Sequence, residues 1–266
     1  MLNFLVIVSI IILFAYYEIL LTLFRLLAPG RAFETTEGFA HRAVRHIFRL
    51  MHFYCGVDLE YENLSGIDLP ERFLLVANHQ SLMDIPVCIA LFPRRMLRFV
   101  AKWELRVGIP FVSFILRTQG HALVRRNGEA TQAMRSIRRY ARRCRRENTC
   151  PVIFPEGTRS PDGEVGVFHT AGVRKILAET ALPLVVAVLD GGWKVANMEG
   201  IARNLNGARF RIHVLRVTPT LSAKKEVLDA VSRAREEIAT ALAALRVNKS
   251  ELTKKPPNGG SLRKSN

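Results

Sequence analysis

Several residue patterns that mark common protein classes are missing from this chain. Its four cysteines, Cys55, Cys88, Cys144 and Cys150, show no CxxC spacing and no neighbouring His pattern. Neither a disulfide framework nor a zinc site is therefore expected, and the thiols read as small apolar fillers. No Gly-x-Ser-x-Gly elbow occurs, and neither Ser81 nor any Cys stands in a reactive frame, which argues against a covalent enzyme intermediate. No Lys or Arg precedes Arg25 and no small-residue cleavage site follows the apolar start, so no signal peptide is expected. No internal repeat is visible. Acids are scarce: 23 Asp and Glu face 39 Lys and Arg, giving a net charge of +16.

That excess of positive charge will attract anions, whether nucleic acid, phosphate esters or acidic lipid. The 266 residues, 49% of them apolar, suit one well-cored domain with an appendage. Phe4 to Phe24 is 21 residues with one charge, Glu18, about the length that crosses a hydrocarbon core of roughly 30 Å. Arg25, Arg31, Arg42, Arg45 and Arg49 all follow it, which places the remainder of the chain in the cytoplasm, on an inner (cytoplasmic) membrane. Because Glu18 is costly in mid-membrane, a buried core helix or a shallow in-plane anchor is the alternative.

Pro29-Gly30 ends this first helix. From Gly38 to Cys55, Ala40, Ala43, Val44, Ile47, Phe48, Met51 and Cys55 share one helical stripe, with Arg42, Arg45, Arg49 and His52 opposite. Such a helix lies either in the headgroup layer or with its apolar stripe on the domain core. From Glu71 onward, strand-like runs (72–77, 97–101, 122–124, 152–154, 184–189, 209–217) alternate with helical stretches (85–92, 110–117, 130–146, 173–180), and 224–245 reads as a long final helix. The alternation predicts an α/β fold with a mixed, largely buried sheet flanked by helices. The expected organisation is a membrane anchor at 1–30, an amphipathic segment at 31–60, a catalytic domain at 61–250 and a disordered basic tail at 251–266.

Two turns carry candidate chemistry. The strand 72–77 runs into Asn78-His79-Gln80-Ser81-Leu82-Met83-Asp84, a strand-to-helix turn with free backbone N–H groups. An Asp five residues after a His cannot share a face of a regular helix with it, but it can reach back across an irregular first turn. There it would fix the tautomer and stabilise the imidazolium, so that His79 takes a proton from a hydroxyl. Alternatively Ser81 and Asp84 form a capping pair and His79 is incidental. The second turn, Phe154-Pro155-Glu156-Gly157-Thr158-Arg159-Ser160, follows the strand at 152–154. Gly157 permits an unusual backbone path, Arg159 can grip a phosphate or carboxylate, and Glu156 either holds that Arg or bonds a substrate hydroxyl.

These two motifs, Asn-His-x4-Asp and Phe-Pro-Glu-Gly-Thr-Arg-Ser, resemble those of the glycerolipid acyltransferase family that includes the lysophosphatidic acid acyltransferases. Val100 to Leu105 with Gly108-Ile109-Pro110, Gly120 to Arg126, and Leu182 to Val186 are similar to further stretches of that family. The likeness covers roughly residues 60 to 220, four motifs in order. It implies His79 and Asp84 as the catalytic dyad, the turn Glu156-Gly157-Thr158-Arg159 against the glycerol phosphate of the acceptor, and Arg126 in phosphate binding, with Lys102 beside them. It also implies an acyl-CoA or acyl-carrier protein as co-substrate, a lysophospholipid acceptor, membrane lipids as partners, and no cofactor or metal. Val186 stands where the family commonly has a second Pro, and Phe168-His169-Thr170-Ala171 where it often reads Phe-Lys-x-Gly. Both bear on donor contacts and acceptor identity. The activity implied is acylation of 1-acyl-glycerol-3-phosphate to phosphatidic acid in phospholipid synthesis, with a lyso-ornithine lipid or glycerol-3-phosphate as alternative acceptor. The arginine run from Arg135 to Arg146 suits a solvated face, anionic headgroups or an acidic carrier protein. A membrane-anchored nucleic-acid-binding protein is the rival of a different class. With only Tyr140 interleaved in that run, no platform for stacking bases exists, so no specific nucleic acid is expected.

Overall fold

The computed structural model describes residues 2–27, 32–108, 111–125 and 129–254. Two helices come first, α1 (Leu2–Leu27) and α2 (Ala32–Cys55), followed by the strand β1 (Asp58–Asn63). Then β2 (Leu74–Ala77), α3 (Asp84–Leu91), β3 (Leu97–Lys102), α4 (Val112–Thr118), β4 (Ala122–Val124), α5 (Ala130–Arg146), β5 (Cys150–Ile153) and α6 (Thr170–Thr180) alternate. β6 (Leu184–Asp190), α7 (Met198–Asn204), β7 (Arg209–Thr218) and α8 (Lys224–Lys254) complete the described chain.

The sheet has seven strands in the order β1-β7-β6-β2-β5-β3-β4. Five of them, β6, β2, β5, β3 and β4, run parallel. β7 is antiparallel to β6, with a register shift between Val186 and Ala187, and β1 follows β7 in parallel. The central strands are buried on both faces, which is why they read as unbroken apolar runs. Alternate residues serve opposite layers. Leu75, Ala77, Val185 and Ala187 pack under α2 and α3, while Leu74, Val76, Leu184 and Val186 pack under α5, α6 and α8. The expected mixed α/β sheet flanked by helices is what the chain forms.

Departures from the sequence reading have physical causes. β1 is a charged segment, Asp-Leu-Glu-Tyr-Glu-Asn, without a strand signature. It is held at the sheet edge by β7, whose His213 Nε2 lies 3.0 Å and Arg211 Nε 3.3 Å from the Glu60 carboxylate. The seven-residue α7 was also not predicted; its cap comes from the Asn197 side chain, which accepts from the Gly200 N–H at 2.7 Å. At the far end, α8 continues to Lys254, past the expected domain limit at 250, and residues 255–266 of the expected tail lie outside the described residues. All four cysteines are buried and unbridged.

The apolar stripe of α2 faces the core: Ala40, Ala43, Val44, Ile47, Phe48, Met51 and Cys55 are all buried, with Arg42, Arg45, Arg49 and His52 outward. Of the two arrangements open to that stripe, core packing is the one adopted. α1 lies along the domain. Asn3 donates to the carbonyls of Ile201 and Ala202, Val6 joins the main core, and Tyr17 and Leu21 pack with Ala43, Phe111 and Phe114. Glu18, the single charge in the apolar run, accepts the Phe111 backbone N–H at 2.5 Å. The stretch Asn3–Leu27 is long and apolar enough to cross a bilayer. Phe4, Ile11, Ile12, Ile19, Leu26 and Leu27 on its outer face are exposed.

Candidate active site

β2 ends at Ala77 among the parallel strands, so the residues after it emerge at the carboxyl edge of the sheet, the place where open α/β sheets bind ligands. Asn78 fastens this exit: its amide donates to the Leu189 carbonyl at 2.9 Å and accepts the Leu189 N–H at 2.8 Å, a pairing to β6. His79 then projects from the edge, 12% exposed at its side chain, with its ring stacked on Phe154 at 4.3 Å between centroids and 8° between planes.

Asp84, the first residue of α3, reaches back to it. One oxygen, Oδ2, lies 2.7 Å from His79 Nδ1 and also accepts the backbone N–H groups of Gln80 at 2.6 Å and Ser81 at 2.9 Å. The irregular turn makes this possible. Backbone donors freed at the start of α3 and the imidazole converge on the same carboxylate. The network assigns Nδ1–H as donor to Asp84 and leaves Nε2 as the nitrogen able to accept a proton. Ser81 Oγ meanwhile accepts the Met83 N–H at 3.1 Å. Asp84 thus bonds both the Ser81 N–H and His79 on one turn, while no side chain caps the start of α3.

Glu156 sits behind the dyad. Its Oε1 accepts the His79 N–H at 2.8 Å and its Oε2 the Gly166 N–H at 3.0 Å. This differs from the expected role, in which Glu156 gripped Arg159 or a substrate hydroxyl: the buried carboxylate orients the His79 backbone instead. Burial raises its pKa above the ordinary value, against the two N–H bonds that pull it down. The Ser160 N–H completes the clamp on the His79 carbonyl at 2.8 Å.

His79 lines a cavity of about 360 Å³. Lys102 at the end of β3, Arg159 and His169 contribute its other polar side chains, and Gly157 (φ +66°) lines it as well. Leu82, Ile85, Val100, Leu105, Val124 and Met134 are among its apolar walls. Of the residues expected in the site, His79, Asp84, Lys102, Gly157 and Arg159 are therefore brought together, with Glu156 behind them. Thr158 is exposed on the same turn. Arg126 lies outside the described residues.

Sequence reasoning gave no role to Gln80, Gly192 or His169. Gln80 Oε1 accepts the Gly192 N–H at 3.0 Å, tying the dyad turn to the loop after β6. A Cβ on Gly192 would lie 2.6 Å from Asp84 Oδ1 and 2.8 Å from Ser81 Oγ, so only glycine lets that loop back onto the dyad. Nothing in the linear sequence joins Gly192 to Asp84. His169, by contrast, stood in a motif already noted as departing from the family's pattern, and the cavity wall is where it lies.

A family model described as Acyltransferase matches residues 58–189. The chain is 31% identical over 186 residues to a chloroplastic 1-acyl-sn-glycerol-3-phosphate acyltransferase of Brassica napus, covering 68% of this chain and 49% of that protein. It is 30% identical over 172 residues to a 1-acyl-sn-glycerol-3-phosphate acyltransferase of Helicobacter pylori, covering 64% of this chain and 70% of the relative. The chain spans about half the length of the two plant chloroplast relatives that it matches. In fold it is similar to the crystal structure of the 1-acyl-sn-glycerophosphate acyltransferase of Thermotoga maritima, with a TM-score of 0.59, 24% identity, and coverage of 86% of this chain and 95% of that one.

Proposed function

The chain belongs to the acyltransferase family, and from that premise we propose that it transfers an acyl group from a thioester to the free hydroxyl of 1-acyl-glycerol-3-phosphate, forming phosphatidic acid. The observation that carries this reading is the 2.7 Å contact between His79 Nδ1 and Asp84, made beside a cavity whose largely apolar lining includes the cations Lys102 and Arg159. A substrate suited to such a cavity is an amphiphile with an anionic group and an acyl chain. Arg159 and Lys102 hold the acceptor phosphate. His79 Nε2 takes the proton of the acceptor hydroxyl as its oxygen attacks the thioester carbonyl, and Asp84 stabilises the imidazolium. Collapse of the tetrahedral intermediate breaks the carbon–sulfur bond, and the imidazolium returns the proton to the thiolate. The apolar wall, with Ile85, Val100 and Met134, keeps water from competing for the acyl group.

The exposed apolar face of α1 supplies the membrane contact, and the outward arginines of α2 favour an anionic surface. The acceptor is a membrane lipid, so holding the cavity near the bilayer shortens its path. The test is turnover of the full chain in detergent with lysophosphatidate and palmitoyl-CoA. Thiol release and phosphatidate formation together support the reading. Thiol release with a lyso-ornithine lipid or glycerol-3-phosphate, and none with lysophosphatidate, moves it to that acceptor. No transfer from either acyl-CoA or acyl-carrier protein to any of them defeats it.

A further inference from the structure

A second cavity, about 520 Å³, opens at the same edge of the sheet and shares no lining residue with the first. Lys194, Arg203, Arg209, Arg211 and Arg246 line it, with Trp193 beside them and Asp190 as the one acid in its wall. Five cations gathered around a concavity repel one another, and such a cluster is stabilised by an anion. Part of the charge is met outside the wall: Arg203 pairs with Glu199 at 2.9 Å, Arg211 with Glu60 at 3.3 Å, and Arg246 with Glu164. The remainder is not. Among the described residues Lys194 pairs with no carboxylate, and Arg209 approaches Glu60 no closer than 3.8 Å.

Asp190 offsets a further part through two ion pairs that form no hydrogen bond. Its Oδ1 lies 3.7 Å from Arg246 Nε and its Oδ2 3.6 Å from Arg211 Nη1, both longer than a hydrogen bond. Asp190 Oδ1 and Arg246 Nε are buried and form no hydrogen bond, a state that burial alone disfavours. The walls are nonetheless firmly built. Asn204 donates to the Lys194 carbonyl at 2.9 Å, Arg246 to the Gly163 carbonyl at 2.7 Å, and Gly191 adopts φ +99° where a Cβ would strike the Arg209 carbonyl at 2.1 Å.

The geometry points to a second anion site, taking a phosphate ester other than the one held by Arg159. Two sources carry that chemistry. One is the nucleotide end of a coenzyme A thioester. Arg159 of the first cavity is four residues before Gly163, whose carbonyl accepts from Arg246 of the second, and Gln80, next to His79 in the chain, accepts from Gly192, two residues before Lys194. A ligand with its thioester at His79 and its phosphates beyond Gly163 would follow that stretch of chain. The other source is an anionic lipid headgroup, because Asn3 of α1 binds the carbonyls of Ile201 and Ala202 immediately before Arg203. The coenzyme A source rests on the acyl-transfer reading above, whereas the anion site does not.

The test titrates the full chain in detergent with coenzyme A and with inorganic phosphate, and measures flotation with phosphatidylcholine vesicles with and without phosphatidylglycerol. The variants are Lys194→Ala combined with Arg209→Ala, Arg209 being exposed and Lys194 half-buried, and Lys194→Gln alone as a milder check on folding. Coenzyme A affinity is expected to fall about tenfold or more in the double variant, given the strength of charge-assisted hydrogen bonds, with His79→Ala binding coenzyme A as the unaltered chain does. Inorganic phosphate is expected to compete for the same site. In turnover, KM for acyl-CoA rises and kcat holds. Unchanged coenzyme A binding with weakened flotation on phosphatidylglycerol assigns the site to the lipid headgroup. Weakened coenzyme A binding in a protein that transfers no acyl group keeps the site and defeats the acyl-transfer reading. Equal binding of coenzyme A, phosphate and anionic vesicles by the variants and the unaltered chain overturns the proposal.

Discussion

At the scale of residues, the site depends on convergence onto one carboxylate. Asp84 Oδ2 serves His79 Nδ1 and two backbone N–H groups, so replacing it leaves the imidazole unoriented and the turn without its acceptor. His79→Ala is expected to lower kcat by roughly 10³-fold or more, and Asp84→Asn by about 10²- to 10⁴-fold, in protein whose circular dichroism is unchanged. A folded His79→Ala enzyme with full activity would exclude the dyad mechanism. Gly192→Ala tests a residue that touches no substrate. Its added methyl would stand 2.6 Å from Asp84 Oδ1, and a displacement of this kind costs roughly 10²-fold in rate. The loss should appear in kcat with acceptor KM nearly unchanged; the reverse split would mean that Gly192 acts on binding. Arg159→Ala is expected to raise acceptor KM for the phosphorylated lipid, with little change for an acceptor lacking phosphate.

At the scale of elements, the helix α2 is tied to β3 by a buried charge. Arg98 is 1% exposed and its Nη2 lies 2.9 Å from Glu37 Oε2. Burial works to raise the Glu37 carboxyl, but the hydrogen bond from His41 and the nearby Arg98 outweigh it and hold the pKa below the usual value. Removing one partner of such a pair strands the other. Glu37→Ala is therefore expected to cost about 3 kcal/mol, read as a lower denaturation midpoint in detergent, whereas a change within a few tenths of a kcal/mol would show that Arg98 finds other partners. The amphipathic stripe of α2 was legible from its spacing, yet its destination was not: the same moment serves a membrane or a core. β1 shows the opposite failure. Its charges hid a strand, and the cross-strand pairing of Glu60 with Arg211 and His213 supplied what local propensity lacked.

At the scale of the whole molecule, two properties follow. His121 accepts the Phe99 N–H at 3.0 Å, and burial foremost, with the nearby Arg98, lowers its pKa to about 3. The folded protein thus keeps His121 neutral where the unfolded chain takes up a proton, so its contribution to stability is present above about pH 6.5 and is lost as pH falls toward 3. Glu37, also depressed, acts in the same sense at lower pH, and Glu156, raised by burial, acts oppositely. Thermal midpoints are expected to decline from pH 7 to pH 5, with His121→Gln flattening that decline. Identical slopes would remove His121 as the cause. The second property concerns α1. Because Val6, Tyr17 and Leu21 are buried against the domain, deleting residues 2–27 should lower stability as well as weaken membrane binding. A truncated chain as stable as the full one would show that α1 is an appendage only.

The sequence by itself determined the α/β alternation, the apolar first helix, and the two turns that meet at the site, because each is written in contiguous residues: buried parallel strands as apolar runs, His79 and Asp84 five positions apart, Arg159 three residues after Glu156. It did not determine what those residues face. Glu156 turned inward to the His79 backbone, Gly192 came to rest against Asp84, and Arg209 was gathered with Lys194 around a second cavity, through contacts between segments far apart in the chain. Such contacts are chosen by packing and by the pairing of buried polar groups, which act on distance in space. The order of the strands brought those segments to one edge of one sheet.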